Sequence, residues 1–240
     1  MSVNITILVD NLNGARSEFV KSYGFAALIE IQNIKILFDA GTKISPLMKN
    51  LHTMNLTGSD LDAVILSHNH YDHTDGLPGI LNENPDVPVY IHKDWDKPAS
   101  FKGIQVPKAN QKVVRQGREL KELCQGLYIT NSFLAPDYGG VYEQAIYVKA
   151  EKEIVLICGC CHPGLNTFLK ERQELNLPLD SDLSIMGGMH GFAFSDKKAN
   201  ILKPLIQKVI LCHCTQKKKQ FKAQFSQKCE FGIVGKKISF

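Results

Sequence analysis

The stretch Ser67-His68-Asn69-His70-Tyr71-Asp72-His73-Thr74-Asp75-Gly76 puts three imidazoles and one carboxylate within six residues. Neutral imidazole and carboxylate suit borderline divalent cations such as zinc, manganese or iron. The spacing lets two adjacent cations share the segment, with His68 and His70 pointing at one while Asp72 and His73 reach the other. The bland alternative is a polar loop that happens to hold histidines. An H-x-H-x-D-H run directly behind a buried strand argues against it.

Three more histidines sit in equivalent places. His162 follows Ile154-Val155-Leu156-Ile157, His190 follows Leu183-Ser184-Ile185-Met186, and His213 follows Val209-Ile210-Leu211. Histidines at the ends of successive strands is the placement a metal cluster needs. Of the eight histidines, only His52 and His92 fall outside these settings, and His92 reads as a surface or strand-end residue rather than a ligand.

The elements that must carry these side chains are short and apolar. Ala63-Val64-Ile65-Leu66 reads as a buried parallel strand, and Gly76, Pro78 and Gly79 around Leu77 turn a loop into a helix start. Val3 to Val9 alternates as an edge or sandwich strand, and Phe25–Ile31 with Ile34–Phe38 reads as a hairpin about Gln32-Asn33. Helices are expected over Pro46–Met54, from Leu77 to Leu81, over Asn166–Leu175, and over Asp196–Lys208 with a break at Pro204. Further strands are expected at Val89–Ile91, Leu127–Thr130 and Ala145–Val148, and a closing strand pair within Glu230–Phe240. Asn11–Tyr23, with Gly14, reads as a loop passing over the site. Lys93–Gln125, with Trp95, Pro98, Phe101 and Gly103, has little pattern and is expected to flank it. Ala135-Pro136-Asp137-Tyr138-Gly139-Gly140 reads as a hairpin loop or a lid.

A length of 240 residues suits one domain spanning 1–240 with a substantial core. Its 44% hydrophobic and 22% charged content is that of a soluble globular protein, and its apolar runs are strand-length. Seven cysteines, with Cys158, Cys160, Cys161 and then Cys212 and Cys214 in tight groups, make a poor disulfide framework. With no basic-then-apolar leader at the N-terminus, a cytoplasmic location is the expectation. Eleven lysines and one acid, Glu230, lie between Lys197 and Phe240. That puts +10 on this stretch and leaves −6 on the rest of a chain whose net charge is +4. Such a tail is a solvated face or an attractor of phosphate-bearing small molecules. The scarcity of arginine there argues against base reading by a nucleic-acid binder.

These stretches resemble the metallo-β-lactamase-fold superfamily of metal-dependent hydrolases. The signature loop is Ser67 to His73 followed by Gly76, preceded by the acidic turn Ile36-Leu37-Phe38-Asp39-Ala40-Gly41. Within it the chain is similar to the 7,8-dihydropterin-6-yl-methyl-4-(β-D-ribofuranosyl)aminobenzene-5′-phosphate synthase branch. That similarity rests on Leu8-Val9-Asp10-Asn11, Gly159-Cys160-Cys161-His162-Pro163-Gly164, Gly187-Gly188-Met189-His190 and His213-Cys214-Thr215. It runs from the first strand to about position 215. The resemblance implies an α/β four-layer αβ/βα sandwich and an enzyme with one or two zinc-type ions. The first ion would be held by His68, His70 and His162 and the second by Asp72, His73 and His213, with water activated between them. Asp39 is either a turn residue or, as the resemblance implies, an acceptor supporting a ligand histidine.

The chain departs from the superfamily pattern twice. Phe133–Gln144 contains no histidine where a ligand is usual, so His162 must serve. Gly159-Cys160 stands where Gly-Asp is usual, so Cys160 either bridges as a thiolate or is a small buried residue. Asp72 is expected to take part in catalysis. His190 is expected to move a proton or contact phosphate, with direct ligation as the other reading. The substrate implied is a small phosphorylated or pterin-like molecule. The alternatives are a phosphodiesterase or other ester hydrolase and, ranked below it, a di-iron redox protein. No membrane partner is implied.

Overall fold

A computed structural model describes residues 2–12, 17–97 and 99–240. Gly14 and Pro98, which the sequence places in loops near the site, lie outside the described residues. The first half of the chain forms β1 (Val3–Val9), β2 (Ala26–Ile31), β3 (Ile34–Phe38), α1 (Ile44–Thr53), β4 (Ala63–Ile65), α2 (Tyr71–Thr74), α3 (Leu77–Glu83), β5 (Val89–His92) and β6 (Gln111–Val114). The second half forms β7 (Arg118–Glu119), β8 (Leu127–Ile129), β9 (Phe133–Ala135), β10 (Val141–Glu143), β11 (Ile146–Lys149), β12 (Ile154–Cys158) and α4 (Leu165–Glu174). It continues with β13 (Leu183–Gly187), α5 (Asp196–Leu202), β14 (Ile206–Leu211), α6 (Lys218–Phe225), β15 (Cys229–Phe231) and β16 (Lys237–Ser239).

Two seven-stranded sheets result, in the orders β16-β1-β2-β3-β4-β5-β6 and β15-β14-β13-β12-β11-β8-β7. Side-chain alternation explains why they stack. Ile36 and Phe38 of β3 face Val155 and Ile157 of β12 across an inner core, whereas Leu37 between them packs outward with Leu47 and Leu51 of α1. Leu156 and Cys158 of β12 likewise face outward, onto Leu165 and Phe168 of α4 and Phe221 and Phe225 of α6. Strands apolar on both faces must be covered on both, which gives helix, sheet, sheet, helix. Each such side chain contributes roughly 1.5–3 kcal/mol by leaving water. The four-layer sandwich expected from the sequence is therefore the architecture found.

The expected hairpin is present, with Ile31 paired to Ile34 and Gln32 at φ 56°. The expected parallel strand is β4, between β3 and β5. Three expectations need correction. The helix over Asp196–Lys208 ends at Leu202, because Pro204 cannot continue it and the β-branched run from Ile206 pairs with β13 as a strand. The C-terminal strands do not pair with each other. β15 runs parallel to β14 in one sheet, and β16 runs antiparallel to β1 in the other. The poorly patterned Lys93–Gln125 contains β6 and β7, too short or too exposed to show a period. No helix among the described residues is long and apolar enough to cross a membrane.

Parallel strands β3, β4, β12, β13 and β14 all release their chains at one end of the sandwich, where open α/β sheets bind ligands. Backbone bonds fix the loop after β4 there. Ala40 N–H donates to the His73 carbonyl at 2.7 Å and Gly76 N–H to the Gly41 carbonyl at 3.1 Å. A side chain at Gly76 would overlap the Ala40 carbonyl oxygen. Gly76→Ala is therefore expected to lower stability by about 1–3 kcal/mol. The check is a reduced urea midpoint at unchanged slope, and an unmoved midpoint would contradict this packing.

Candidate metal centre

The loop after β4 is organised by Asp39, which is fully buried in the left-handed turn after β3 at φ 58°. Its Oδ1 accepts the Ser67 N–H at 2.7 Å, and its Oδ2 accepts both the Ser67 hydroxyl and His73 Nδ1, each at 2.7 Å. Asp39 is thus both a turn residue and the acceptor behind a histidine. The Ser67 hydroxyl has one proton, given to Asp39, so the 2.8 Å contact with His68 Nδ1 is donated by the ring. That assignment leaves the lone pair of His68 on Nε2.

The same logic repeats around the cluster. His162 Nδ1 lies 3.3 Å from Asp137 Oδ2, and His213 Nδ1 lies 2.9 Å from Asn11 Oδ1, which also accepts the Gly24 N–H. In each ring the outer nitrogen is committed as donor and the inner nitrogen faces the centre. His68 Nε2, His70 Nε2 and His162 Nε2 are buried without a hydrogen-bond partner, and a ligand atom from each lies within 4.8 Å of the other two. Burial and neighbouring imidazoles hold all three rings neutral, pulling His70 down to about 4 and His162 to about 2, with His68 also well below its usual range.

Asp72, His73 and His213 form the second group. His213 Nε2 is 2.8 Å from Asp72 Oδ2, and His73 Nε2 is 3.9 Å from the same oxygen. Burial alone would raise Asp72, but His73 and His213 outweigh it and hold the carboxyl below the usual range. Burial alone would lower His73, but Asp39 and Asp72 outweigh it and push the ring up to about 9. Cys160 lies between the two groups. Its Sγ is 3.1 Å from His73 Nε2, and it clusters with His68 and His73 on one side and with His213 and Cys214 on the other.

These donors fit a divalent cation on the structure's own terms. Three desolvated imidazole nitrogens without a hydrogen-bond partner each forfeit about 1–3 kcal/mol unless something binds them. Nitrogen, oxygen and sulfur donors at this separation are a cation's requirement.

The structure gathers every residue expected from the sequence: His68, His70, Asp72, His73, Cys160, His162 and His213, with His190 at the rim. His190 has φ 41°, its Nε2 lies 3.2 Å from the Tyr138 hydroxyl, and its ring centroid is 4.6 Å from that of His162. A cavity of about 180 Å³ opens over the cluster, walled by Tyr23, Tyr71, Phe101 and Tyr138. Tyr138 comes from the loop between β9 and β10, so that hairpin supplies a wall of the site. His52 instead pairs with Glu83 at the surface. His92 is buried beside Trp95 and Tyr142, and burial draws it down to about 4.

Sequence reading missed Glu143 altogether. Its buried Oε1 accepts the Cys160 and Cys161 N–H groups at 2.9 and 2.8 Å, and its Oε2 accepts that of His162 at 2.6 Å. A three-residue strand offers no periodic signal that could have singled it out. Asp137 lies in the turn between β9 and β10, where the sequence marks a loop but gives no sign that its carboxylate meets His162. Asp10 plays the corresponding part for His213, accepting its N–H at 2.7 Å.

Comparison with known proteins agrees with this geometry. The sequence profile of the metallo-beta-lactamase superfamily matches residues 21–157. The chain is similar to the 7,8-dihydropterin-6-methyl-4-(beta-D-ribofuranosyl)-aminobenzene-5'-phosphate synthase of Methanocaldococcus jannaschii, at 25% identity over 100% of this chain and 97% of that one. It is also similar to an uncharacterized protein of that archaeon, at 30% identity over 98% and 99% of the two chains. Among solved structures it shares its fold with Tm1679, a metal-dependent hydrolase of the beta-lactamase superfamily. There the TM-score is 0.73 at 22% identity, covering 98% of both chains.

Replacing Glu143 tests the loop it holds. Glu143→Gln turns an amide N–H₂ toward one of three buried donors and should cost about 1–3 kcal/mol, read by urea unfolding. Burial pushes the Glu143 carboxyl up to about 7 from 4.5. A carboxyl raised on folding loses stability as pH rises between those two values. The gap between wild type and Glu143→Gln should therefore be wider at pH 5 than at pH 8, and a gap that widens with pH would contradict the assignment.

Proposed function

The chain belongs to the metallo-beta-lactamase superfamily, and from that premise we propose that it is an enzyme holding zinc-type divalent cations and acting on a small phosphorylated or pterin-like substrate. His68, His70 and His162 hold one cation, and Asp72, His73 and His213 hold a second, with Cys160 between them. The observation that carries this reading is the set of three buried, partnerless Nε2 atoms converging beside the Asp72 carboxylate. When bound, the cations supply Lewis acidity toward a phosphoryl or carbonyl oxygen and make water nucleophilic at neutral pH.

The chain's own residues supply the rest. Asp72 is too acidic to act as a strong base. It stays ionised and accepts a hydrogen bond, orienting the attacking group. Four aromatic walls leave a slot suited to a flat ring, which supports a pterin or aminobenzene moiety over an aliphatic ester. His190 and the Tyr138 hydroxyl, 3.2 Å apart at the rim, pass a proton to the leaving group or hold a phosphate oxygen. The name of the full-length archaeal relative supports the synthase form of this reading. A Cys160 thiolate among the donors would favour zinc over manganese.

Metal analysis of protein purified without chelators should give close to two zinc per chain. His68→Ala and Asp72→Ala should lose metal and turnover together. His190→Ala should keep its metal while turnover falls by about 100-fold, and equal loss of metal would remove the proton-transfer role. Hydrolysis of bis-p-nitrophenyl phosphate, set against condensation of a dihydropterin with a ribofuranosyl aminobenzene phosphate, separates the phosphodiesterase from the synthase. Protein without metal and without either activity would overturn the proposal.

A further inference from the structure

We propose that Cys214 is a metal-binding thiolate of this centre, forming with Cys160, His213 and Asp72 a sulfur-rich site for a soft or borderline cation. The inference rests on the metal-centre reading above and extends it to a residue outside the ligand set derived there.

Ligand atoms of Cys160, His213 and Cys214 all lie within 4.8 Å of one another. His213 also contacts Asp72 at 2.8 Å, so this sulfur-bearing group adjoins the Asp72 carboxylate through His213. Cys160 is buried, Cys214 is half-buried, and both line the cavity over the cluster. Both are free thiols.

The backbone is arranged to bring Cys214 in. Consecutive residues leaving a strand ordinarily face opposite sides. Here Cys214 takes φ 59°, and the Thr215 N–H donates to the His213 carbonyl at 2.9 Å, closing a three-residue turn about Cys214. This turn type is rare and strained. It brings the Cys214 sulfur within 4.8 Å of a ring nitrogen of the preceding residue, His213. Room for the sulfur comes from Gly188 at the end of β13, where a Cβ would stand 2.5 Å from Cys214 Sγ. The same Cβ would also meet the Gly159 and His213 carbonyl oxygens at 2.5 and 2.7 Å, so backbone and sulfur together exclude a side chain at Gly188. Added to the Asp72, His73 and His213 donors of the second group, the two thiolates make a nitrogen, oxygen and sulfur set that suits a zinc-type ion and is a poor one for magnesium or manganese.

Cobalt is the probe. Metal-free, fully reduced, full-length protein is titrated with Co²⁺, and the sulfur-to-cobalt charge-transfer band in the near ultraviolet is recorded with bound cobalt measured separately. Wild type should show the band, and Cys214→Ser and Cys160→Ser should each lower it by about half, since band strength follows the number of thiolates on the ion. The double variant should abolish it, and His70→Ala, altered only in the other group, should keep it. Cys214→Ala, checked by circular dichroism, controls for folding and should match Cys214→Ser. Cobalt bound with no sulfur band, or a full band in Cys214→Ser, would overturn the proposal while leaving the metal centre standing. No cobalt bound at all would overturn the metal centre, and this proposal with it.

Discussion

Under every loop that presents a candidate ligand lies a carboxylate sealed from water, and the centre depends on those three groups. Asp39 holds the Ser67 amide and hydroxyl and the outer nitrogen of His73. Glu143 gathers three successive amides from Cys160 to His162. Asp10 takes the amide of His213. Burying a carboxylate costs several kcal/mol unless hydrogen bonds offset it, and burial accordingly pushes Asp10 up to about 6 and Glu143 to about 7. Loop backbones that would otherwise wander are thereby tied to charges that cannot be abandoned without leaving them bare. The loops carry the chemistry, and the sheets carry the carboxylates or the turns next to them.

This division of labour requires the two sheets to approach closely at one end. Glycine makes that possible at specific points. A side chain at Gly159 would run into Ser67 of the opposite sheet's loop. Gln144 completes the junction, with its N–H donating to the Ser67 carbonyl and its side-chain amide to the Leu66 carbonyl, both at 2.9 Å. The site is therefore a seam. Of its seven candidate donors, four (His68, His70, Asp72 and His73) come from the β4 loop of one sheet and three (Cys160, His162 and His213) from the β12 and β14 loops of the other, and the inner apolar core behind them sets their separation.

What could be read from the sequence follows from this arrangement. The loop from His68 to His73 is legible because its donors are contiguous and follow an apolar strand, so spacing alone constrains them. His162 and His213 are legible because each ends a run buried on both faces. Glu143, Asp137 and Tyr138 sit on a hairpin whose strands are three residues long, below the length at which alternation becomes a pattern. Their roles arise from β9 and β10 folding back over the β12 loop, a tertiary fact with no local trace. The same limit hid β6, half exposed, and the early end of α5. Short strands that are apolar along their length, such as β4, β5 and β11, were legible, whereas short half-exposed ones were decided by what they packed against.

The charge balance of the cluster explains why its histidines are not equivalent. His68, His70 and His162 are kept neutral by burial and by one another, while His73 alone is driven toward its charged form. Asp39 on one side of that ring and Asp72 on the other account for the difference. A proton on His73 Nε2 thus occupies the position from which the ring would otherwise donate its lone pair. A divalent cation bound at that nitrogen would have to displace the proton, and would bring two positive charges to carboxylates that shared one. Such an exchange would be favoured on electrostatic grounds and opposed at low pH, where protons are plentiful. The hydrogen bond from the ring to Asp39 that fixes its orientation is the same one that raises its affinity for hydrogen, so Asp39 sets the terms of both.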